Sequence, residues 1–483
     1  MFVNPANPAP TNSAKAVTDS RLPMELDFLF QRINYEQTVT DDYPKHFKLE
    51  TMRNLLDRLG NPQDDYGIIH VAGTKGKGSV SRMISGALNE AGIKTGVYSS
   101  PHIESICERI SVGDKLITET ELADILQSTR QIVNELDREA DANGTRKCSF
   151  FEIITAAGLI FFKQSKVEKV VLEVGLGGRL DSTNVCQPEL CIITNISLDH
   201  TKQLGSTVDK IAREKAGIIK PGIPVVSGVK DPLAAREIQE CCSVCHSDLM
   251  ELDEDFFFRI TDTDDVTGQI GFETWGGLPE RHSYRLDNAN VQAAGLHQVT
   301  NAALAVAALN LLNDRFRISN QAIREAMANF RMIGRGEVLS RKPLVIVDMA
   351  HNVASIEALV EMLRRLSSSK VRQGCRRLVF GSSRDKDLKG MMTKLLPFFD
   401  EVVFTRFVEN PRATEPEELL SIAEATALEA GSFPRMTVRP DPQTAWALVD
   451  AEMTPDDLIC VAGSAFLVAE MRPMIRTRLN LMG

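Results

Sequence analysis

Residues 67–79 read GIIHVAGTKGKGS, an apolar run that leads directly into three glycines, two lysines and a serine. The apolar residues 67–72 predict a buried strand, and residues 80–91 predict a helix. Glycines between a strand and a helix let backbone N–H groups surround phosphate oxygens at the positive end of the helix. The stretch therefore predicts a phosphate-binding loop, in which Lys77 meets the β- and γ-phosphates, made of Gly73, Thr74, Lys75, Gly76, Lys77, Gly78 and Ser79.

The spacing of this loop departs from the common phosphate-loop pattern. In G-x-x-x-x-G-K-[ST] the hydroxyl residue follows the lysine directly, whereas here Gly78 separates Lys77 from Ser79. The alternative is a glycine-rich turn that binds nothing. That alternative requires the glycines, the lysine and the following helix to coincide by chance, so we expect phosphate binding.

Outward from the loop, strands alternate with long helical patterns, which is typical of α/β folds with mostly parallel sheets. Residues 169–174 and 190–195 predict buried strands, and the stretch after Met250 predicts short antiparallel strands. A second alternation starts at Leu344 and forms a doubly wound unit by itself. The sequence predicts a disordered tail at 1–23, a P-loop-containing domain at 24–331 and a smaller Rossmann-like doubly wound domain at 332–483.

Composition excludes several classes of partner. The 65 acidic and 55 basic side chains give a net charge of -10, so the chain as a whole repels nucleic acid and anionic membranes. The longest apolar stretch, residues 153–162, is far shorter than the roughly 20 residues of a spanning helix. Residues 1–23 lack the basic and apolar segments of a signal peptide. We expect a cytoplasmic protein that binds neither nucleic acid nor membrane.

The nine cysteines form an odd, scattered set that favours reduced thiols over a disulfide framework. Residues 241–246, CCSVCH, contain the C-x-x-C-H spacing of haem attachment, and their thiols and imidazole could also bind zinc. No export signal and no second Cys/His pair at zinc-finger spacing accompany them. We expect an incidental helix or loop.

Polar residues follow two of the predicted buried strands. Glu173 ends one strand and His200 follows the next, and such side chains can bind the divalent cation that accompanies phosphate. Each residue alone is more often a cap or a satisfied polar group. The glycines of residues 175–178 resemble a dinucleotide fingerprint, but Leu180 occupies its third glycine position, so we reject a Rossmann cofactor there.

In the second unit, residues 348–352 read DMAHN and lie where a strand meets a helix, the crevice position at which open α/β sheets bind ligands. The alternative is that Asn352 only caps the helix. Lys215, in AREKAG, lies in a predicted helix and by default would be a solvated charge.

Taken together, these residues resemble the folylpolyglutamate synthase/dihydrofolate synthase branch of the Mur ligases. The resemblance spans about Met24 to the C-terminus, and its first and third motifs are highly specific to this branch. It implies a Mur-ligase-like ATPase domain followed by a Rossmann-like glutamate ligase domain. The motifs that carry it are HVAGTKGKGS (70–79), SSPH (99–102), LEVGLGGRLDSTN (172–184), SLDH (197–200), AREKAG (212–217), GRGEVL (334–339) and DMAHN (348–352).

The resemblance implies that ATP phosphorylates a carboxylate of dihydropteroate or a reduced folate, that the amine of L-glutamate attacks the acyl phosphate, and that ADP and phosphate are released. It implies that the enzyme is a monomer that uses Mg²⁺, and that Lys77, His200 and Lys215 are catalytic residues. In the implied site, Lys77 and Ser79 belong to the phosphate loop. The implied metal ligands are Ser100, Glu173 and His200, together with a carbamylated Lys215 that bridges a metal. The implied contacts with ATP are made by Arg335 near the phosphates, by Asp348 toward the nucleoside, and by Asn301 and His351.

Three residues depart from the family pattern. Lys75 replaces a common Asn and adds positive charge beside the phosphates, Ser182 replaces the usual Ala, and Met349 replaces a Gly and adds bulk beside the nucleotide. None of these changes removes a candidate catalytic group.

Two other functions stay open at this point, a peptidoglycan-type Mur ligase and a nucleotide-binding switch. The GKGS loop with LEVGLGGRLD favours the folate branch, and the second unit with DMAHN has no obvious role in a simple switch. The sequence does not separate dihydrofolate synthase from folylpolyglutamate synthase, although His102 resembles the bifunctional bacterial enzymes. The length of a polyglutamate product and the carbamylation of Lys215 also stay open.

Overall fold

The computed structural model describes residues 21–34, 49–264, 269–278, 283–292, 297–367, 374–408 and 410–479. The predicted tail lies mostly outside these residues. Its last two residues, Leu22 and Pro23, belong to the first helix, Leu22–Phe30. A proline in the first turn of a helix loses no hydrogen bond, because the N–H groups there have no intrahelical partner. The predicted end of the tail is therefore wrong.

The first sheet has eight strands and contains the residues that decided the fold prediction. The strands are β1 Gly67–Ala72, β2 Thr95–Tyr98, β3 Ile110–Val112, β4 Lys115–Leu116, β5 Lys169–Glu173, β6 Leu190–Ile193, β7 Val225–Ser227 and β8 Leu249–Glu251. They lie in the order β4-β3-β2-β5-β1-β6-β7-β8. The six strands from β2 to β8 in this order are parallel, whereas β3 and β4 pair antiparallel at one edge.

Helices cover both faces of this sheet. They are α1 Leu22–Phe30, α2 Leu49–Arg58, α3 Lys77–Glu90, α4 Glu119–Asn143, α5 Phe150–Gln164, α6 Thr201–Leu204, α7 Val208–Ala216, α8 Pro232–Cys245, α9 His297–Phe316 and α10 Asn320–Asn329. Alternate residues of a strand point to opposite faces. Accordingly, Ile69 and Val71 of β1 join the core formed with α3, α9 and α10, whereas Ile68 joins the core formed with α2, α4 and α5. The central strand is therefore buried on both sides, which fixes the position of the loop that follows it.

A small antiparallel sheet follows β8, as the sequence predicts for the stretch after Met250. Its strands are β9 Phe256–Asp264, β10 Gln269–Gly276 and β11 Tyr284–Gln292, in the order β11-β10-β9. Buried residues of these strands, including Phe272 and Val291, pack in the same core as α9.

The second unit is a six-stranded sheet, which confirms the predicted doubly wound fold. The strands are β12 Glu337–Arg341, β13 Leu344–Val347, β14 Arg376–Phe380, β15 Glu401–Phe404, β16 Arg435–Val438 and β17 Leu458–Ala462, and the helices are α11 Val353–Ser367, α12 Leu388–Leu395, α13 Pro416–Ala430, α14 Pro442–Glu452 and α15 Ala465–Arg478. The order is β12-β13-β17-β14-β15-β16, and only β12 is antiparallel to its neighbour. The sequence analysis missed β12, β16 and α14.

Among the helices that the structure describes, none is long and apolar enough to cross a membrane.

The packing of the second unit predicts a large difference between two leucines. Leu363 of α11 is fully buried, whereas Leu428 of α13 is 73% exposed. Leu363→Ala should lower the free energy of unfolding by about 2–5 kcal/mol through lost burial and a residual cavity, and Leu428→Ala should change it by less than about 0.5 kcal/mol. Chemical denaturation of both variants measures this. Equal effects would contradict the described core.

Candidate functional site

The loop after β1 is held by the residues that follow β6. The Thr74 N–H donates to the Asn195 carbonyl (2.8 Å), the Lys75 N–H donates to Asn195 Oδ1 (3.0 Å), and Thr194 Oγ1 donates to the Lys75 carbonyl (2.7 Å). Gly73 has a φ of 149°, and a Cβ at this position would lie 1.9 Å from Thr194 Oγ1. Glycine is therefore required here, because any side chain would push the loop away from β6.

Helix α3 presents its positive end at this loop. Gly76 precedes the helix with a φ of 85°, and neither a side-chain cap nor an acidic residue occupies the first turn. The first N–H groups of a helix lack intrahelical partners and favour an anion. Lys77 Nζ donates to the Gly73 carbonyl (3.2 Å), and Ser79 is buried in the first turn. This geometry fits the predicted binding of phosphate.

Lys215 lies in the last turn of α7 and is 5% exposed. Its Nζ donates to the same Gly73 carbonyl oxygen (2.9 Å) that Lys77 contacts. Burial lowers the pKa of Lys215 to about 7 and the Lys77 charge adds to this, although Asp199 and Asp181 oppose it. Lys215 is thus a buried amine with a substantial neutral fraction near pH 7, and the default expectation of a solvated charge is wrong.

Glu173 ends β5 beside the first turn of α3. Its carboxylate is 4% exposed, and Oε2 lies 3.4 Å from the position of a Cβ at Gly78. Burial raises the pKa of Glu173, while Lys77, Arg335 and a hydrogen bond from the Ser100 backbone N–H act in the opposite direction. A buried carboxylate among cations can hold a metal or stabilise those cations. The contact given by Ser100 comes from its backbone, so the predicted role of its hydroxyl stays a prediction.

His200 begins α6 with a left-handed φ of 48°, and its side chain is 56% exposed. Its backbone N–H donates to Asp199 Oδ1 (2.9 Å). Desolvation of the part of the ring that is covered lowers the pKa of His200, and the charges of Lys215, Lys77 and Lys386 add to this, whereas Asp199 raises it. The imidazole is therefore neutral near pH 7 and can act as a metal ligand.

The second unit contributes a turn that carries Arg335. Asp348 fixes this turn, because its Oδ2 accepts the Gly336 N–H (2.6 Å) and its Oδ1 accepts the Ala350 N–H (2.7 Å). Burial raises the pKa of Asp348 to about 6, and those two bonds and Arg335 moderate the rise. In this structure the carboxylate shapes the backbone around Arg335, and its predicted contact with the nucleoside stays a prediction.

His351 and Asn352 follow this turn. The Nδ1–H of His351 donates to the Met349 carbonyl (2.8 Å), which leaves Nε2 as the acceptor in the neutral ring. Asn352 Oδ1 accepts the Ser355 N–H (2.9 Å), so Asn352 also caps α11, as the alternative interpretation held.

The sequence analysis missed Lys386. This residue lies in the loop after β14 and lowers the pKa values of His351 and of His200, which belongs to the first unit. A cation of the second unit therefore acts on a histidine of the first, although Lys386 also pairs with Asp385 of its own loop at 3.2 Å. The glycine, serines and charges of residues 381–387, directly after a buried strand, could have indicated this position.

Asn301 lies in α9 against the phosphate-loop candidate. It is buried, and its Oδ1 lies 2.5 Å from the position of a Cβ at Gly76. One turn earlier, His297 was also missed by the sequence analysis. Burial lowers the pKa of His297, and the charges of Arg335, Lys75 and Arg365 add to this. Positive charge from both units therefore surrounds the start of α9.

The structure thus gathers the predicted residues at the carboxyl ends of β1, β5 and β6, with Arg335, Asp348 and His351 opposite them. In the described parts of the chain, no three His, Cys, Asp or Glu side chains converge as metal ligands. Mg²⁺ often binds through one or two carboxylates together with phosphate oxygens and water. The buried Glu173, next to Gly78 in the turn of α3 that also carries Ser79, fits that mode of binding.

The CCSVCH segment lies at the end of α8, where Cys242 is buried and His246 caps the helix in a left-handed conformation. All nine cysteines are free thiols. The segment therefore lies in a helix, as expected, and the reduced state of the cysteines stays a prediction.

Two protein families match the sequence. The Mur ligase middle domain matches residues 71–309, and the Mur ligase glutamate ligase domain matches residues 334–465.

Two relatives are similar along nearly their whole length. The dihydrofolate synthase/folylpolyglutamate synthase of Bacillus subtilis is 32% identical over 89% of this chain and 95% of its own. The folylpolyglutamate synthase of Lacticaseibacillus casei is 33% identical over 91% of this chain and 98% of its own.

Solved structures of folylpolyglutamate synthases are also similar to this chain along nearly their whole length. The folylpolyglutamate synthase of Thermotoga maritima has a TM-score of 0.80 and 29% identity, and covers 95% of this chain and 97% of its own. Escherichia coli FolC in complex with DHPP and ADP has a TM-score of 0.77 and 28% identity, and the match covers 96% of this chain and 99% of FolC. A bifunctional folylpolyglutamate synthase/dihydrofolate synthase with Mn, AMPPNP and L-glutamate bound has a TM-score of 0.73 and 29% identity. The match covers 96% of this chain and 99% of that structure.

The contact between Gly76 and Asn301 predicts an effect on nucleotide binding. Gly76→Ala adds a Cβ at a φ of 85° and against Asn301, so it should weaken binding of a non-hydrolysable ATP analogue by about tenfold. Gly92→Ala is the matched control, because Gly92 ends the same helix with a φ of 84° and has open space around its Cβ position. Isothermal titration calorimetry measures both affinities. Equal affinities would contradict the placement of the nucleotide at this loop.

Proposed function

Because the chain belongs to the folylpolyglutamate synthase/dihydrofolate synthase family of Mur ligases, it is an ATP-dependent ligase that joins L-glutamate to a folate, and we propose that it works through an acyl phosphate. In this reaction a carboxylate oxygen of the pterin substrate attacks the γ-phosphorus of ATP, and ADP leaves. The amine of L-glutamate then attacks the acyl carbon and loses a proton. Phosphate leaves with the oxygen that came from the carboxylate.

The observation that carries this proposal is the meeting of Lys77 and Lys215 at the Gly73 carbonyl, beside Glu173 and the open positive end of α3. Phosphoryl transfer depends on positioning and on neutralising negative charge. We assign Lys77 to the β- and γ-phosphates and Arg335 to the transferred phosphoryl group from the opposite unit.

Arg335 and Lys386 come from the second unit, so the cleft between the units would hold both the nucleotide and the amino acid. L-glutamate brings two carboxylates, and Lys386, whose charge lowers the pKa of His200, would attract them. Closure of the cleft around the substrates would exclude water from the acyl phosphate.

A divalent ion supplies further charge neutralisation when it is bound with ATP. The relative with Mn and AMPPNP supports a metal here. We propose Mg²⁺, with Glu173 as its carboxylate ligand and with Ser79, Ser100 and His200 as further contributors.

We propose that Lys215 is carbamylated. Its neutral amine can attack carbon dioxide, which forms a C–N bond, releases a proton and converts the side chain into an anionic carbamate. The lowered pKa of Lys215 makes this reaction accessible near pH 7. The carbamate would also remove the repulsion between the two lysine ammonium groups.

We further propose that the enzyme works as a monomer in the cytoplasm. The two units of one chain supply every group assigned above, and nine free thiols suit a reducing compartment.

The activity test is ADP release with Mg-ATP, scanning L-glutamate together with dihydropteroate, tetrahydrofolate or neither, with product masses determined. A product heavier by one glutamyl unit shows which pterins are substrates. Release that ignores both glutamate and pterin would instead indicate the nucleotide switch, and silence with pterins would favour a peptidoglycan-type Mur ligase.

Lys77→Ala should reduce phosphate release by roughly 10²–10³-fold, because the γ-phosphate loses its cation. The melting temperature should change little, since the Gly73 carbonyl that Lys77 bonds also accepts a hydrogen bond from Lys215. A steady-state phosphate assay and calorimetry measure the two quantities. Full activity would remove Lys77 from the site.

Lys215→Ala should also lose roughly 10²–10³-fold of activity, and acetate or propionate at high concentration should restore part of it by replacing the carbamate. Lys210→Ala, on the exposed face of the same helix, is the matched control and should be unaffected. An active Lys215→Ala enzyme, or the absence of any rescue, would exclude the carbamate role.

A further inference from the structure

Arg472 of α15, in the second unit, bonds one carboxylate of the first unit and one of its own. Its Nη1 donates to Glu104 Oε1 (2.7 Å), its Nε donates to Glu337 Oε2 (2.7 Å), and its Nη2 donates to Glu337 Oε1 (2.8 Å). Glu104 belongs to the first unit and Glu337 to the second. Arg472 is only 6% exposed, whereas the Glu104 side chain is 27% exposed, so a buried guanidinium pairs with a partly exposed carboxylate across the units.

Glu337 connects Arg472 to the turn that carries Arg335. The Oε2 atom that accepts from Arg472 also accepts the Gly334 N–H (2.8 Å). Asp348 holds the other side of the same turn through the Gly336 N–H. Any movement of the Glu337 carboxylate therefore changes the conformation of the backbone turn that carries Arg335.

Glu104 connects Arg472 to the loop that contains Ser100. Glu108 accepts three backbone N–H groups of this loop, from Ile103, Glu104 and Ser105, at 2.7–2.9 Å. Ile103 Cδ1 lies 3.1 Å from the position of a Cβ at Gly334, so the loop also packs directly on the Arg335 turn.

The other end of this loop reaches the site. The backbone N–H of Ser100 donates to Glu173, the buried carboxylate beside α3. Arg472 thus lies between two backbone segments, and each segment leads to one side of the cleft.

A guanidinium can hold two carboxylates in fixed directions, because its five N–H groups form a planar fork. Loss of Glu104 would break the bond between the units and leave the Glu337 pair in place, whereas loss of Glu337 would leave the bond to Glu104 but release the turn that carries Arg335. This arrangement is specific in geometry as well as in charge.

We propose that Arg472 is a positioning residue that, by holding Glu104 and Glu337 together, sets the docking of the two units in which Arg335 faces the phosphate loop. This inference rests on the proposed function of Arg335 and adds a residue of α15 that positions it. We assign Arg472 no role at the substrates, because its guanidinium bonds Glu104 and Glu337.

Glu104→Gln tests the proposal, because it removes the charge of the bridging carboxylate and leaves the Glu337 pair intact. We expect kcat to fall by about tenfold, the loss that follows from weakening one charge-assisted hydrogen bond. Affinity for a non-hydrolysable ATP analogue should change less than about twofold, since residues 73–79 are untouched. Arg472→Lys, which keeps the charge but cannot bond both carboxylates in the same geometry, should lower kcat similarly.

Arg478→Gln is the matched control. Arg478 lies on the same helix, is 63% exposed and pairs with Asp450 within the second unit, so kcat should not change. All rates are measured well below the melting temperature of each variant, so that a loss of folded protein does not contribute.

A double-mutant cycle with Arg335→Lys distinguishes positioning from a general structural role. If Arg472 and Glu104 act by placing Arg335, Glu104→Gln should cause little further loss of kcat in the Arg335→Lys enzyme. Multiplicative losses, or full activity of Glu104→Gln, would overturn the inference. A wild-type enzyme without glutamate-dependent and pterin-dependent ADP release would instead refute the proposed function.

Discussion

The carbonyl oxygen of Gly73 accepts hydrogen bonds from two lysines, and the rest of the site depends on this shared acceptor. Lys77 reaches it from the first turn of α3 and Lys215 reaches it from α7. Two ammonium groups at one oxygen repel each other, and burial adds to the cost of their charge. The lowered pKa of Lys215 is the response to that cost. The arrangement is suited to a site whose substrates bring a larger negative charge.

The fold makes this arrangement possible by burying β1 on both faces. Parallel strands place their carboxyl ends at one edge, where Glu173 and His200 join the lysines. The second sheet then adds Arg335 and Lys386 from the opposite side of the cleft. The reaction requires a nucleotide, a carboxylate and an amine to meet in one place, and charges from two units, each with its own sheet, surround that place.

The sequence predicted the local structure well where the signal is local. The β1 strand at Gly67–Ala72 has the predicted bounds, and β5 and β6 begin at the predicted residues Lys169 and Leu190, because continuous apolar runs define them. The contacts of Lys215 and Arg472 could not be predicted in this way. Their partners lie 142 and up to 368 residues away, and a single cation in a helical pattern carries no signal of what it meets.

The central claim is that ATP activates the pterin carboxylate as an acyl phosphate, and isotope transfer tests it most directly. A substrate labelled with ¹⁸O in that carboxylate is incubated with Mg-ATP and L-glutamate, and the inorganic phosphate is analysed by mass spectrometry. The account predicts one ¹⁸O atom in each phosphate released, because the carboxylate oxygen leaves with the phosphoryl group. Phosphate without the label would contradict the account and would mean that water attacks the γ-phosphorus.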